Sequence, residues 1–143
     1  MAETILIIGS ASLDQQSVIW HLLEADYQVR YAASNSSAVR IISTETPSAI
    51  LLADESGETR QICFLIRRVA PATPLLVIGH EDDPAIRVRL FQAEADDYVL
   101  QPFDSAELVA RIRFAVCRSK KSHRLVKSRY FSPCLRIFSS SQT

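Results

Sequence analysis

Few side chains in this sequence are spaced for chemistry, and the best candidates sit where apolar runs end. Asp54 follows the run Ala49-Ile50-Leu51-Leu52-Ala53, a place from which a carboxylate can act as a nucleophile or hold a hard cation. The turn Gly9-Ser10-Ala11-Ser12 closes a similar run, Thr4 to Ile8. Its hydroxyls are able to bond a small anion at a helix start. It lacks the glycine spacing of a P-loop or a dinucleotide fingerprint, and the glycine that would let such a loop wrap a flavin phosphate. Three histidines (His21, His80, His123) fall on unrelated elements without carboxylate spacing, and only His80 lies next to a run end. Cys63, Cys117 and Cys134 have neither metal nor redox spacing, and their odd number argues for reduced thiols over a disulfide framework. No metal, no cofactor and no enzymatic activity are expected.

The elements that would position these residues alternate in type. Thr4 to Gly9, Ala49 to Ala53 and Pro74 to Gly79 are continuous apolar runs with a β-branched bias, as expected of strands buried on both faces. Val29 to Ala33 and Tyr98 to Leu100 are shorter strand candidates. Ser12 with Gln15 makes a capping-box start to a helix burying Ile19, Leu22 and Leu23. Ala38, Ile41 and Ile42 mark a second helix, and Ile62, Leu65, Ile66 and Val69 a third with i, i+3, i+4, i+7 spacing. Asp83-Pro84 reads as an N-cap followed by proline at N1, opening a fourth helix through Ala93. Asp104 and Glu107 start a fifth, with Leu108, Ile112, Ala115 and Val116 inward. Five strands alternating with five helices predict an α/β doubly wound parallel sheet, flavodoxin-like (CheY-like), in the order 2-1-3-4-5.

The segment Glu94-Ala95-Asp96-Asp97-Tyr98-Val99-Leu100-Gln101-Pro102-Phe103 resembles the G-A-D-D-Y-L-x-K-P-F signature of response-regulator receiver domains. That resemblance implies an acidic pair after strand one, a phosphoacceptor aspartate ending strand three, a Thr or Ser ending strand four, and a lysine after strand five. Here the corresponding positions are Gly9 and Ser10, Ala53, Gly79 and Gln101. Each is altered. Glutamine reaches like lysine but carries no charge for a charge-assisted bond to a phosphoryl oxygen. The expectation is a phosphorylation-independent pseudo-receiver. Asp54 is the alternative phosphoacceptor, but one residue along a strand reverses the side chain, and Gly9 and Ser10 offer Mg²⁺ no carboxylate. Two further features of the segment are local. Glu94 replaces a glycine expected in a left-handed turn, at a cost of about 1 kcal/mol. The Gln101-Pro102 bond matches one that is often cis in the family.

What survives is a set of surface residues. From Glu81 to Arg118 the sequence is similar to the OmpR/PhoB subfamily, which pairs two receivers through helix four, strand five and helix five. The resemblance implies a homodimer in which Arg87 meets Glu107, Asp97 meets Arg111 and Asp96 meets Arg118 across a two-fold axis. Val88, Phe91 and Ala110 would form the apolar patch between them. An apolar centre inside a rim of alternating charges suits a self-complementary contact. Two readings stay open at these positions. Arg87, Glu107 and Arg111 are also readable as solvated helix residues, with Glu107 and Arg111 an i, i+4 pair, and Phe91 as core, although their joint retention favours the interface. Tyr98 matches the aromatic that moves between exposed and buried positions in receivers; here it is either fixed in one state or half-buried core. A second kind of partner, a heterologous signalling protein bound by a stand-alone hub, also fits.

Charge divides the chain near Arg118. Residues 1–117 carry all sixteen acidic residues and nine basic ones, whereas 118–143 hold seven basic residues and no acid. Residues 1–118 read as the receiver domain and 119–143 as a basic linker or tail. Leu135-Arg136-Ile137-Phe138 resembles the first strand of a winged-helix effector domain, as if that domain started here and were cut short. No groove-reading element follows, so DNA is a partner only through an effector domain absent from this chain. No apolar run approaches membrane-spanning length, and the start lacks a basic n-region and a cleavage site, so a cytoplasmic protein without membrane contact is expected.

Metal, nucleophile and phosphoryl reader act as one unit in such a site. Ala53→Asp alone, or Gln101→Lys alone, is therefore expected to take up no phosphoryl group from acetyl phosphate with Mg²⁺. Intact-mass measurement checks this, and a one-phosphoryl gain by either variant would refute the strand registration.

Overall fold

The computed structural model describes residues 3–9, 15–53, 59–80 and 82–127. Strands β1 (Glu3–Ile8), β2 (Tyr27–Ala32), β3 (Ala49–Ala53), β4 (Leu75–Gly79) and β5 (Asp97–Leu100) alternate with helices α1 (Gln15–Glu24), α2 (Asn35–Glu45), α3 (Thr59–Val69), α4 (Pro84–Gln92) and α5 (Ser105–Lys127). All strand pairs are parallel and the order is β2-β1-β3-β4-β5, as the alternation of elements predicts.

The central strands are apolar on both faces because both faces are covered. One layer packs Leu6, Ile8, Ile50, Leu52, Leu75 and Val77 against α2, α3 and α4, with Ala38, Ile42, Ile66 and Leu90 inward. The other packs Ile5, Ile7, Leu51, Leu76 and Ile78 against α1 and α5, with Val18, Leu22, Leu108, Ile112 and Val116 inward. The edge strand β2 is less covered: Gln28, Arg30 and Tyr31 are exposed, while Tyr27 and Ala32 are buried on opposite faces.

Local signals decide several boundaries. Asp83 caps α4 by accepting from the Ala85 N–H at 2.9 Å, with Pro84 in the first turn. Ser34 caps α2 by accepting from the Ser37 N–H at 3.2 Å. Glu94 adopts the left-handed conformation (φ 68) that its position demands, and the Gln101-Pro102 bond is cis. The expected capping box of α1 falls on Ser12, outside the described residues.

Two helix faces differ from expectation. In α3 the inward residues are Thr59, Cys63 and Ile66, while Leu65 and Val69 are exposed. Both stripes satisfy a helical period, so periodicity alone does not select between them. In α1 the inward pair is Val18 and Leu22, and Leu23 is exposed beside Trp20. Helix α5 also continues to Lys127, past the linker boundary expected at Arg118. The strand-like stretch Leu135 to Phe138 lies outside the described residues. Among the described residues no helix is long and apolar enough to cross a membrane.

Candidate functional site

Parallel strands deliver their carboxyl ends to one edge of the sheet, and four of the positions singled out in the sequence arrive there. Ile8 pairs with Leu52, Ala53 with Ile78 and Gly79 with Leu100, so Gly9, Ala53, Gly79 and Gln101 occupy adjacent strand ends. Gly9 donates its N–H to the Ala32 carbonyl at 3.0 Å, and Gln101 donates to the Gly79 carbonyl at 2.7 Å. Ser10 and Asp54 lie outside the described residues. His80 is exposed at the end of β4, while His21 bonds back to the Ser17 carbonyl within α1. Among the described residues no three His, Cys, Asp or Glu side chains gather to hold a metal ion.

The two glycines at this edge are glycines for opposite reasons. Gly9 has φ +80, in the left-handed region, yet a Cβ there would meet nothing within 4 Å. Backbone conformation is the constraint. Gly79 has no such torsion, but its Cβ would lie 2.2 Å from the Tyr98 hydroxyl oxygen and 2.7 Å from the ring carbon bearing it. Here the constraint is a neighbour. Tyr98 is buried in the α2–α3–α4 layer, so its ring is inward, over position 79.

Next to this edge lies the surface formed by α4, β5 and α5. Val88 (53% exposed) and Phe91 (48%) project from α4, which answers the question of whether Phe91 is core. Glu107, Ala110, Arg111 and Arg118 are all exposed on α5. Their spacing forms one helical stripe, and Phe114 belongs to it at 66% exposure. Sequence reading missed Phe114, although its distance of seven residues from Glu107 and four from Arg118 marks the same face. The Arg118 guanidinium lies 5.8 Å from its ring centroid.

The rim charges are paired within the chain. Arg111 donates to Asp97 at 2.9 Å and to Glu107 at 3.2 Å. The bond to Asp97 and its charge raise the Arg111 pKa above its ordinary value against an opposing effect of burial, with a lesser contribution from Glu107. Arg87 pairs with Asp82 and lies 6.0 Å from the Tyr98 ring centroid, while its buried Nε–H has no acceptor among the described residues.

Asp96 departs from the expected pattern. It accepts from Arg67 at 2.5 Å and from the Leu75 N–H at 2.7 Å, and is thereby tied to the start of β4. Arg67 also donates to the carbonyls of Glu94 at 2.9 Å, Ala70 at 3.2 Å and Thr73 at 2.5 Å. Its side chain is 10% exposed. Asp96 is therefore engaged internally, and the expected contact between Asp96 and Arg118 would have to compete with that clasp.

Residues 5–113 match the response regulator receiver domain family. The chain belongs to that family. It is 33% identical over 125 residues to the phosphate regulon transcriptional regulatory protein PhoB of Klebsiella pneumoniae, covering 82% of this chain and 53% of that protein. It is 29% identical over 122 residues to the response regulator MprA of Mycobacterium ulcerans, covering 84% and 53%. This receiver thus spans about half the length of the curated relatives it matches. Its fold is similar to that of a CheY-like receiver domain protein from Methanospirillum hungatei (TM-score 0.76, 18% identity, 85% of this chain and 99% of that one). A response regulator from Thermotoga maritima is comparably close in fold (TM-score 0.75, 20% identity, 82% and 99%).

The Arg67 clasp makes a stability prediction. Arg67→Ala removes four partners' donor and is expected to cost about 2–3 kcal/mol. Arg67→Lys is expected to recover less than half, because an ammonium cannot fork between a carboxylate and several carbonyls. Denaturant midpoints at constant slope check this, and a loss below about 0.5 kcal/mol would contradict it.

Proposed function

We propose that this receiver works as a phosphorylation-independent pairing module in signal transduction and transcription regulation, with an output supplied by an effector domain outside the chain. One observation carries the reading. Gly9, Ala53, Gly79 and Gln101 meet at the strand ends without a carboxylate, hydroxyl or cation among their side chains, while Val88, Phe91 and Phe114 are exposed on the neighbouring face. A phosphoryl group needs a nucleophile, Mg²⁺ oxygen ligands and positive charge to be accepted and read. Large apolar side chains left in water cost free energy unless something covers them.

The pairing surface is α4, β5 and α5, with a second copy of the chain as occupant. Val88, Phe91, Ala110 and Phe114 form its apolar part, and Arg87, Asp97, Glu107, Arg111 and Arg118 its charged rim. Intrachain bonds between Arg111 and Asp97, and between Arg111 and Glu107, hold those side chains ready and can be shared or exchanged with the same groups across a two-fold axis. Asp96 contributes through the Arg67 clasp that fixes the start of β5, and less by facing a partner. The curated relatives extend well beyond the matched region, and one of them is named a transcriptional regulatory protein, so we assign DNA contact to a region outside the one matched here.

The charges and the apolar centre are expected to separate in a variant series. Phe91→Asp is expected to abolish the dimer, because it places a carboxylate in the patch. Arg111→Glu is expected to weaken it by about 1 kcal/mol or less, and the double change Asp97→Arg with Arg111→Glu to recover part of that loss. Added salt should weaken the parent dimer only modestly. Sedimentation over a concentration series reads all of these. A parent chain that stays monomeric at high concentration, or a dimer that tolerates Phe91→Asp, would place the contact elsewhere and favour a heterologous partner.

A further inference from the structure

Helix α3 is apolar on two faces, and the sheet covers only one of them. Cys63 and Ile66 point inward, while Phe64 (44% exposed), Leu65 (40%) and Val69 (39%) point outward. Leu65 and Val69 are one turn apart and Phe64 lies beside them, so the three make one patch. A helix with only one buried face ordinarily carries polar residues on the other; one that is apolar all round is covered on both sides. The roll of α3 is not free to hide the patch. Arg67 ties the helix to the carbonyls of Thr73 and Glu94 and to Asp96, which holds Cys63 and Ile66 inward and leaves Phe64 and Leu65 out. The helix packs between α2 and α4, so its outer face is the middle of that layer, separate from α5.

Charge around the patch has one sign. Helices α2, α3 and α4 carry six of the nine basic residues of segment 1–117, all arginine, against a single acid, Glu45, which Arg30 holds. Arg67 is engaged by Asp96 and Arg87 by Asp82. Arg40, Arg60, Arg68 and Arg89 are exposed, and none has an ion pair with a carboxylate among the described residues. The Arg60 guanidinium lies 5.6 Å from the Phe64 ring centroid, which joins charge and apolar surface in one site. The rest of segment 1–117 is acidic, so this layer is a basic island.

We propose that the outer face of α3 docks an acidic amphipathic helix of a partner protein. The apolar side of that helix covers Phe64, Leu65 and Val69, and its carboxylates pair with Arg60 and Arg68, with Arg40 and Arg89 at the margins. An apolar centre flanked by unpaired arginines fits a protein surface of opposite charge. Nucleic acid would use the arginines and leave Leu65 and Val69 without a role. The face lies outside the α4–β5–α5 surface, so the inference stands whether or not the chain pairs with itself.

The probe is a synthetic, fluorescently labelled helical peptide of about 18 residues, with a leucine and phenylalanine seam and glutamate flanks. Its counterpart keeps the seam and carries lysine flanks. Anisotropy titration with the full chain is expected to saturate with the glutamate peptide at an affinity at least about tenfold above that for the lysine peptide. Phe64→Asp is expected to abolish this binding. The double change Arg60→Glu with Arg68→Glu is expected to reverse the preference toward the lysine peptide, an outcome that misfolding does not produce. Trp20→Ala on α1 and Phe91→Asp on α4, both at exposed side chains elsewhere, are expected to leave the affinity unchanged. Equal affinity for the two peptides, no saturation by either, or a preference that the double change does not reverse overturns the proposal. So does random-sequence duplex DNA that binds more tightly than the glutamate peptide and survives Phe64→Asp, which would make the arginines a nucleic-acid contact.

Discussion

The β5 side of this molecule is held in place by one guanidinium. Arg67 sits on α3 yet bonds the carbonyls of Ala70 and Thr73 beyond its own helix, the Glu94 carbonyl in the turn after α4, and the Asp96 carboxylate at the entrance to β5. Asp96 in turn accepts from the Leu75 N–H, while the Asp96 N–H donates to the Leu75 carbonyl, so β4 and β5 start in register. From that start the next two residues follow: Asp97 turns outward to Arg111, and Tyr98 turns inward over Gly79. Both the surface pair and the buried ring are set by where β5 begins. The clasp also gives the left-handed Glu94 a reason to persist, since its carbonyl has a charged donor.

With β5 fixed, the strand ends and the neighbouring surface have different fates. In a site built for phosphoryl transfer the strand ends carry charge and the ring of an aromatic answers to it. Here the ring has taken the volume of a missing side chain, and the strand ends carry glycine, alanine and glutamine. The surface keeps its chemistry: alternating charges in bonding distance of one another, and aromatic side chains exposed between them. On the proposed reading a receiver framework has lost its reaction and kept its contacts, because the two are built from different side chains of the same strands and helices.

Much of this was legible in the sequence, for identifiable reasons. Continuous apolar runs gave the buried strands, Asp83-Pro84 the start of α4, and the signature segment the left-handed residue at Glu94. Other features were hidden by degeneracy or distance. In α3 the stripe Ile62-Leu65-Ile66-Val69 and the stripe Thr59-Cys63-Ile66-Ala70 share a period, and only tertiary packing chose the second. Arg67 and Asp96 are 29 residues apart, beyond any local pattern, and Asp96 was read as a surface charge. The relation of Gly79 to Tyr98 needs two parallel strands in a stated register and one rotamer, none of which a linear motif encodes. Phe114 was legible by spacing and overlooked. The extension of α5 to Lys127 was masked by a basic composition that reads equally well as linker.

The central claim joins two statements, that the chain pairs and that it does so without phosphorylation. Sedimentation equilibrium of the full chain, with and without acetyl phosphate and Mg²⁺, tests both when intact mass is read on the same samples. The account predicts one dimer constant in both conditions and an unchanged mass. A gain of one phosphoryl mass accompanied by tighter association would contradict it, and loss of that gain in Asp54→Asn would identify the residue responsible.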